Sequence, residues 1–226
     1  MIKITVKELR RLIRESTRVV NPELKPDCDT FAVFDFDETL AITNSNVIVL
    51  DKDGKKIRTL TPAEYAIYDN APGESFDFTE FDVVKEPRVT PLMNVLRDVA
   101  MCGVDAASIL TARGPKAQQP IAEFLRKMGI RLQIIDTINS SNPQAKVDKI
   151  KGYVKSYKPR ILHFFEDSPK NIAAVRLLAQ TDPDMSGTQF ILHHITDPEG
   201  DMKISVEEVE FTGQKAMTAV IDSNHV

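Results

Sequence analysis

Five short apolar runs, at residues 31–36, 107–111, 132–135, 161–165 and 189–193, are separated along this chain by stretches of helical pattern. The runs are rich in β-branched and aromatic side chains, as suits strands covered on both faces. The stretches between them carry helix punctuation. Thr90-Pro91 sets a capping residue and a first-turn proline before one helix, which Gly103 ends. Residues 115–128 form a second, closed by Gly129, and residues 144–157 and 169–180 supply two more. Strands alternating with helices at this spacing predict an α/β fold, a parallel sheet of about five strands with helices on both faces.

Residues 41–88 interrupt the alternation. Within them, 47–50 and 57–60 flank Asp51-Lys-Asp-Gly54 and read as a β-hairpin. Thr61-Pro-Ala-Glu64 has capping-box spacing and opens a short helix. Residues 70–88, rich in Gly, Pro, Asp and Phe, read as irregular. The whole of 41–88 is expected to sit over the strand ends, where an α/β sheet binds its ligand. The predicted organisation is therefore 1–28, a basic amphipathic helix and linker; 29–196, the α/β domain with the 41–88 insertion; and 197–226, a polar extension with one β-like stretch at 203–211.

With 42% hydrophobic and 27% charged residues the chain has the composition of an ordered protein. A net charge of -4 gives no general reason to bind nucleic acid or membrane. The charge is uneven: Lys3, Lys7, Arg10, Arg11, Arg14 and Arg18 oppose Glu8 and Glu15 in the first 20 residues. Val6, Leu9, Leu12 and Ile13 give this segment an apolar stripe, so it is expected to pack on the domain or dock a partner. No apolar run reaches the ~20 residues of a membrane span. Cys28 and Cys102 lie in no metal or redox spacing and read as small packing residues, consistent with a reducing, cytoplasmic setting.

Four polar signals follow predicted strands in order: Asp35-x-Asp37-x-Thr39, Thr111-Ala-Arg113-Gly114, Lys146 at the start of a helix, and Glu166-Asp167. A parallel sheet gathers strand ends at one edge. Asp35, Asp37, Glu166 and Asp167 would then share a site, where two carboxylates ~4 Å apart repel by roughly 4 kcal/mol at an effective dielectric near 20. An all-oxygen cluster of this kind suits a hard cation such as Mg2+.

The order and spacing of these signals resemble the haloacid dehalogenase-like (HAD) superfamily of phosphohydrolases, over roughly residues 30–195. The resemblance implies a Rossmann-like sheet with a small cap inserted after the first strand. It implies that Asp35 is the nucleophile that accepts a phosphoryl group and Asp37 the acid and then base. Thr111 and Lys146 would hold the phosphoryl oxygens, and Arg113 is a further candidate for contacting substrate. Mg2+ would be held by Asp35, the Asp37 backbone carbonyl and Asp167, with Glu166 acting through water or orienting a partner. Lys149 and Lys151 compete with Lys146 for the catalytic place. Thr39 is expected to stabilise the turn, Asn171 to tie the loop after Asp167, and His163, His193 and His194 to be structural.

The implied function is a Mg2+-dependent phosphatase of a phosphomonoester. A small cap leaves a site open. A looser similarity to polynucleotide 3′-phosphatase domains, with lysines at 146, 149, 151, 155 and 158 and Arg160, points to a nucleotide or nucleic-acid end as substrate. The rival expectations are a binding or scaffold protein docking through its N-terminal helix, and a phosphotransferase that delivers to an acceptor other than water.

Overall fold

Phe31 and Val33 enter one apolar core and Ala32 and Phe34 another, so the strand that carries them is covered on both faces. This follows from the pleat, which sends successive side chains to opposite sides. The computed structural model describes residues 2–4, 30–66, 68–69, 71–103, 105–198 and 202–213. The predicted basic helix at 5–18 and Cys28 lie outside the described residues.

The strands are β1 (Ile2–Ile4), β2 (Thr30–Phe34), β3 (Ala41–Ile42), β4 (Val47–Leu50), β5 (Lys56–Leu60), β6 (Ser75–Asp77), β7 (Arg88–Val89), β8 (Ala107–Thr111), β9 (Ile134–Thr137), β10 (Ile161–Glu166), β11 (Gln189–Thr196) and β12 (Lys203–Val209). The helices are α1 (Pro62–Ala66), α2 (Leu92–Ala100), α3 (Gln118–Lys127), α4 (Pro143–Tyr157) and α5 (Pro169–Thr181). Seven strands form the main sheet in the order β1-β12-β11-β10-β2-β8-β9. The five from β11 to β9 are parallel, and β12 and β1 add antiparallel at one edge. Helices α2 and α3 cover one face, and α4 and α5 the other. Among the described residues no helix is long and apolar enough to cross a membrane.

The strand order places a switch point at the centre. The chain moves outward from β2 to β8 and β9, then crosses to the opposite side of β2 to lay down β10 and β11. The connections leaving the carboxyl ends of β2 and β10 therefore diverge and open a crevice, the usual ligand position in such sheets. Phe34 is in register with Phe165 on β10 and with Ile109 on β8, so Asp35, Glu166 and Thr111 all lie at this edge.

The insertion is a small sheet of its own, ordered β5-β4-β6, on a two-residue stem in which β3 pairs with β7. Val47, Val49 and Leu60 form its core, with Tyr65, Tyr68, Phe76 and Phe81 packed around them. The expected turn is present: Gly54 adopts φ 77°, and Asp51 Oδ1 accepts from the amides of Asp53 and Lys55. The capping box is also present, with Glu64 N donating to Thr61 Oγ1 at 3.2 Å and Thr61 N to Glu64 Oε2 at 2.7 Å.

Four expectations need correction. The third parallel strand is 134–137 rather than 132–135. A shift of two residues keeps every side chain on its own face, so alternation could not fix the ends. The 70–88 segment is not wholly irregular, because it contains β6, a 3-10 helix at Thr79–Asp82, and β7. Thr90 does not cap α2; its hydroxyl donates instead to the Thr39 carbonyl at 2.6 Å. The boundary expected at 196 falls inside an antiparallel pairing, since β12 extends the main sheet beside β11.

Candidate functional site

The turn after β2 brings the first motif to the crevice. Asp35 N donates to Phe165 O at 2.9 Å, which holds the chain on β10 as it leaves the strand. Glu38 takes φ 53°, and the amides of Leu40 and Ala41 both return to Phe36 O. Thr39 is fully buried beneath this turn, and Thr90 clamps its carbonyl from the stem side. The role expected of Thr39 in the turn thus passes through its backbone; its hydroxyl has no hydrogen-bond partner among the described residues.

Lys146, in the first turns of α4, reaches the site from below. Asn142 caps the helix by accepting from Gln144 N, and Pro143 occupies the first turn, which fixes where residue 146 projects. Its Nζ donates to Asp35 Oδ1 at 2.6 Å and to Glu166 Oε2 at 2.7 Å. All three groups are buried. The two carboxylates outweigh the burial that would discharge the ammonium and hold Lys146 above the ordinary lysine range. The competing lysines lie elsewhere: Lys149 pairs with Asp136 at 3.3 Å, and Lys151 with Asp182 at 2.6 Å. Lys155 pairs with Asp184 at 2.9 Å. Three lysines of the basic stripe, Lys149, Lys151 and Lys155, thus face acids of the chain itself.

Asp35, Glu166 and Asp167 place carboxylate oxygens within 4.8 Å of one another. Burial pushes Asp35 up to about 7, with Lys146 opposing and Glu166 and Asp37 adding to the rise. Asp167 is pushed up to about 9, first by burial and then by Glu166 and Asp35. A divalent cation would offset the repulsion among carboxylates so close together. The donors are all oxygen, a set that could hold a hard divalent cation. Glu166 uses Oε1 to accept from Ser168 N at 3.0 Å and Oε2 to accept from Lys146, so it braces the lysine and the loop before α5. Glu166 thus ties this loop, where Asn171 was expected to do so. His194 Nε2 meets the Asp167 carbonyl at 2.9 Å and steadies the same loop, a contact no spacing in the sequence announced.

Asp37 does not join the acidic cluster among the described residues. It faces Arg113, whose Nε and Nη2 approach its two oxygens at 2.8 and 2.7 Å. The arginine also donates to Phe81 O at 2.9 Å, Val83 O at 2.6 Å and Thr43 Oγ1 at 3.0 Å. These contacts engage all five guanidinium N–H groups. Arg113, expected as a substrate contact, is only 4% exposed and has no donor left for one. Thr111 is buried at the end of β8, and its Oγ1 accepts from Arg113 N at 3.3 Å, which leaves the hydroxyl proton available.

His163 and His193 are structural in their packing. Their Nδ1 and Nε2 atoms meet at 2.9 Å, and both rings stack on Phe165. Cys102 is half-buried after α2.

Comparison of the chain with protein-family models, curated proteins and solved structures gave no match.

Proposed function

We propose that this protein is a Mg2+-dependent phosphomonoesterase that works through an aspartyl-phosphate intermediate, as its motif resemblance to the HAD superfamily implies. The observation that carries the reading is Lys146 Nζ held between Asp35 and Glu166 at the switch point, with Asp167 alongside.

Asp35 Oδ attacks phosphorus, and the bond from phosphorus to the ester oxygen breaks. Asp37 gives that oxygen its proton and then takes one from the water that cleaves the acyl phosphate, returning Asp35 to a free carboxylate. Lys146 and the Thr111 hydroxyl stabilise charge on the phosphoryl oxygens. Asp35, Asp167 and the Asp37 carbonyl would hold Mg2+, which when bound neutralises the phosphate and offsets the repulsion among the carboxylates. Lys149, Lys151 and Lys155 already face acids of the chain, so they add no reason to prefer a polyanion end over a phosphomonoester in general.

The test is release of inorganic phosphate from p-nitrophenyl phosphate and a panel of nucleotides and 3′- and 5′-phosphorylated oligonucleotides, with and without Mg2+. Wild type should turn over at least one of them in Mg2+, and Asp35→Asn none. Equal rates for the two proteins would sink the reading. Transfer of phosphate to an added alcohol in preference to water would point to the phosphotransferase.

A further inference from the structure

We propose that Arg113 is a positioning residue that makes the seating of the cap segment at residues 79–83 and the orientation of Asp37 a single event. The proposal rests on the phosphatase reading for what Asp37 does, but the coupling itself is geometric.

A guanidinium is a rigid planar fork. Here one edge, Nε and Nη2, holds both oxygens of Asp37, and Nη1 holds the carbonyls of Phe81 and Val83 from the cap. Neither edge can turn without the other. The guanidinium carbon lies over two rings, 5.2 Å from the centre of Phe36 of the first motif and 5.3 Å from that of Phe81 of the cap. Thr43 completes the arrangement, donating to Asp37 Oδ1 at 3.2 Å and accepting from Nη2. The arginine side chain is 2% exposed, whereas that of Asp37 is 24% exposed. The other polar link between this segment and the loop after β8, among the described residues, is Lys116 to Asp82 at 3.3 Å. The lysine there is largely exposed, so that pair is weak in water. Arg113 is thus the buried joint of this face of the cap, and its far side is the carboxylate assigned to proton transfer. When the segment lifts, Asp37 loses the fork that aims it.

The test uses the full chain and two readouts. Hydrogen–deuterium exchange is compared for wild type, Asp37→Asn, Arg113→Lys and Lys116→Ala. Asp37→Asn presents an amide N–H to the fork in place of one oxygen. If the two ends are coupled, it speeds exchange across residues 79–85 by roughly tenfold, the effect of losing a charge-assisted bond. Arg113→Lys does the same, Lys116→Ala changes little, and the amides of β2 and β8 keep their protection. Unchanged exchange at 79–85 in Asp37→Asn, or an increase spread evenly over the main sheet, overturns the proposal.

The second readout is leaving-group dependence at saturating Mg2+. Arg113→Lys should lower kcat for an alkyl phosphate by about 100-fold more than for p-nitrophenyl phosphate, with KM little altered, because the poorer leaving group needs the aimed acid. Equal losses on both esters contradict the positioning role. If wild type hydrolyses no phosphomonoester, the phosphatase reading falls, while exchange still decides the coupling.

Discussion

Lys146 and Glu166 meet at 2.7 Å in a space where their side chains are 3% and 1% exposed, and the same ammonium lies 2.6 Å from Asp35. A buried cation between two buried anions is a poor way to gain stability, because desolvation offsets most of the attraction. Breaking such a set is costly nonetheless, since the remaining charges lose their partner. Under the proposed phosphatase reading, the arrangement holds an ammonium where a phosphoryl group would arrive.

Lys146→Met should therefore abolish phosphatase activity and also destabilise the metal-free protein by about 3–5 kcal/mol, the cost of stranding buried charge. Lys149→Met and Lys151→Met remove partly exposed pairs and should leave turnover within about twofold of wild type. Steady-state kinetics and urea unfolding check both statements. A Lys149→Met protein as inactive as Lys146→Met would reverse the assignment of the lysine.

The acidic cluster sets a pH dependence. Asp35 and Asp167, raised to about 7 and about 9, bind protons in the native state that the unfolded chain releases near pH 4. Stability from these groups is complete below about pH 4 and is lost as pH rises through 7 and then 9. Mg2+ competes with those protons, so its thermal stabilisation should grow between about pH 5 and 9. Calorimetry with and without Mg2+ measures this, and Asp167→Asn should remove most of the gain. A Mg2+ effect that is flat with pH would contradict it.

Burial pushes His163 down to about 4 and holds His193 well below its ordinary value, with His163 adding to the latter. Here the unfolded chain binds the extra proton. The stability that the neutral pair supplies is present above about pH 6.5 and is lost as pH falls toward 4, by roughly 3 kcal/mol for His163. Nitrogen NMR should find both rings neutral in the folded protein at about pH 6. An imidazolium signal from either ring at that pH refutes the prediction.

Thr90 supplies the buried donor to the Thr39 carbonyl, beneath the turn that presents Asp35 and Asp37. Thr90→Val leaves that carbonyl unsatisfied and should cost about 1–3 kcal/mol, whereas Thr90→Ser keeps the bond and most of the stability. Chemical denaturation of the two variants distinguishes them. Equal loss in both would assign the effect to packing of the methyl group instead.

Much of this architecture was legible along the chain. Apolar runs bounded by Gly, Pro and capping residues report on local conformation, and every predicted parallel strand is present, as are the 47–60 hairpin and the capping box at Thr61. The convergence of Asp35, Glu166 and Asp167 also followed, because a parallel sheet sends all its strand ends to one edge, whereas Asp37, expected in the same cluster, faces Arg113 instead. Strand ends such as 134 against 132 were not fixed, since a two-residue shift preserves the faces.

What only the tertiary structure decided was pairing among like residues. The sequence offered several lysines for one site and an arginine with no partner, and nothing local distinguishes a buried ammonium from one on a wet helix face. That choice depends on which side chains the crossover between β9 and β10 brings within 3 Å, and on the low dielectric there, which makes a contact decisive that would be weak in water. Lys146 was thereby set at the carboxylates, Lys149 and Lys151 at the surface, and Arg113 between Asp37 and the cap.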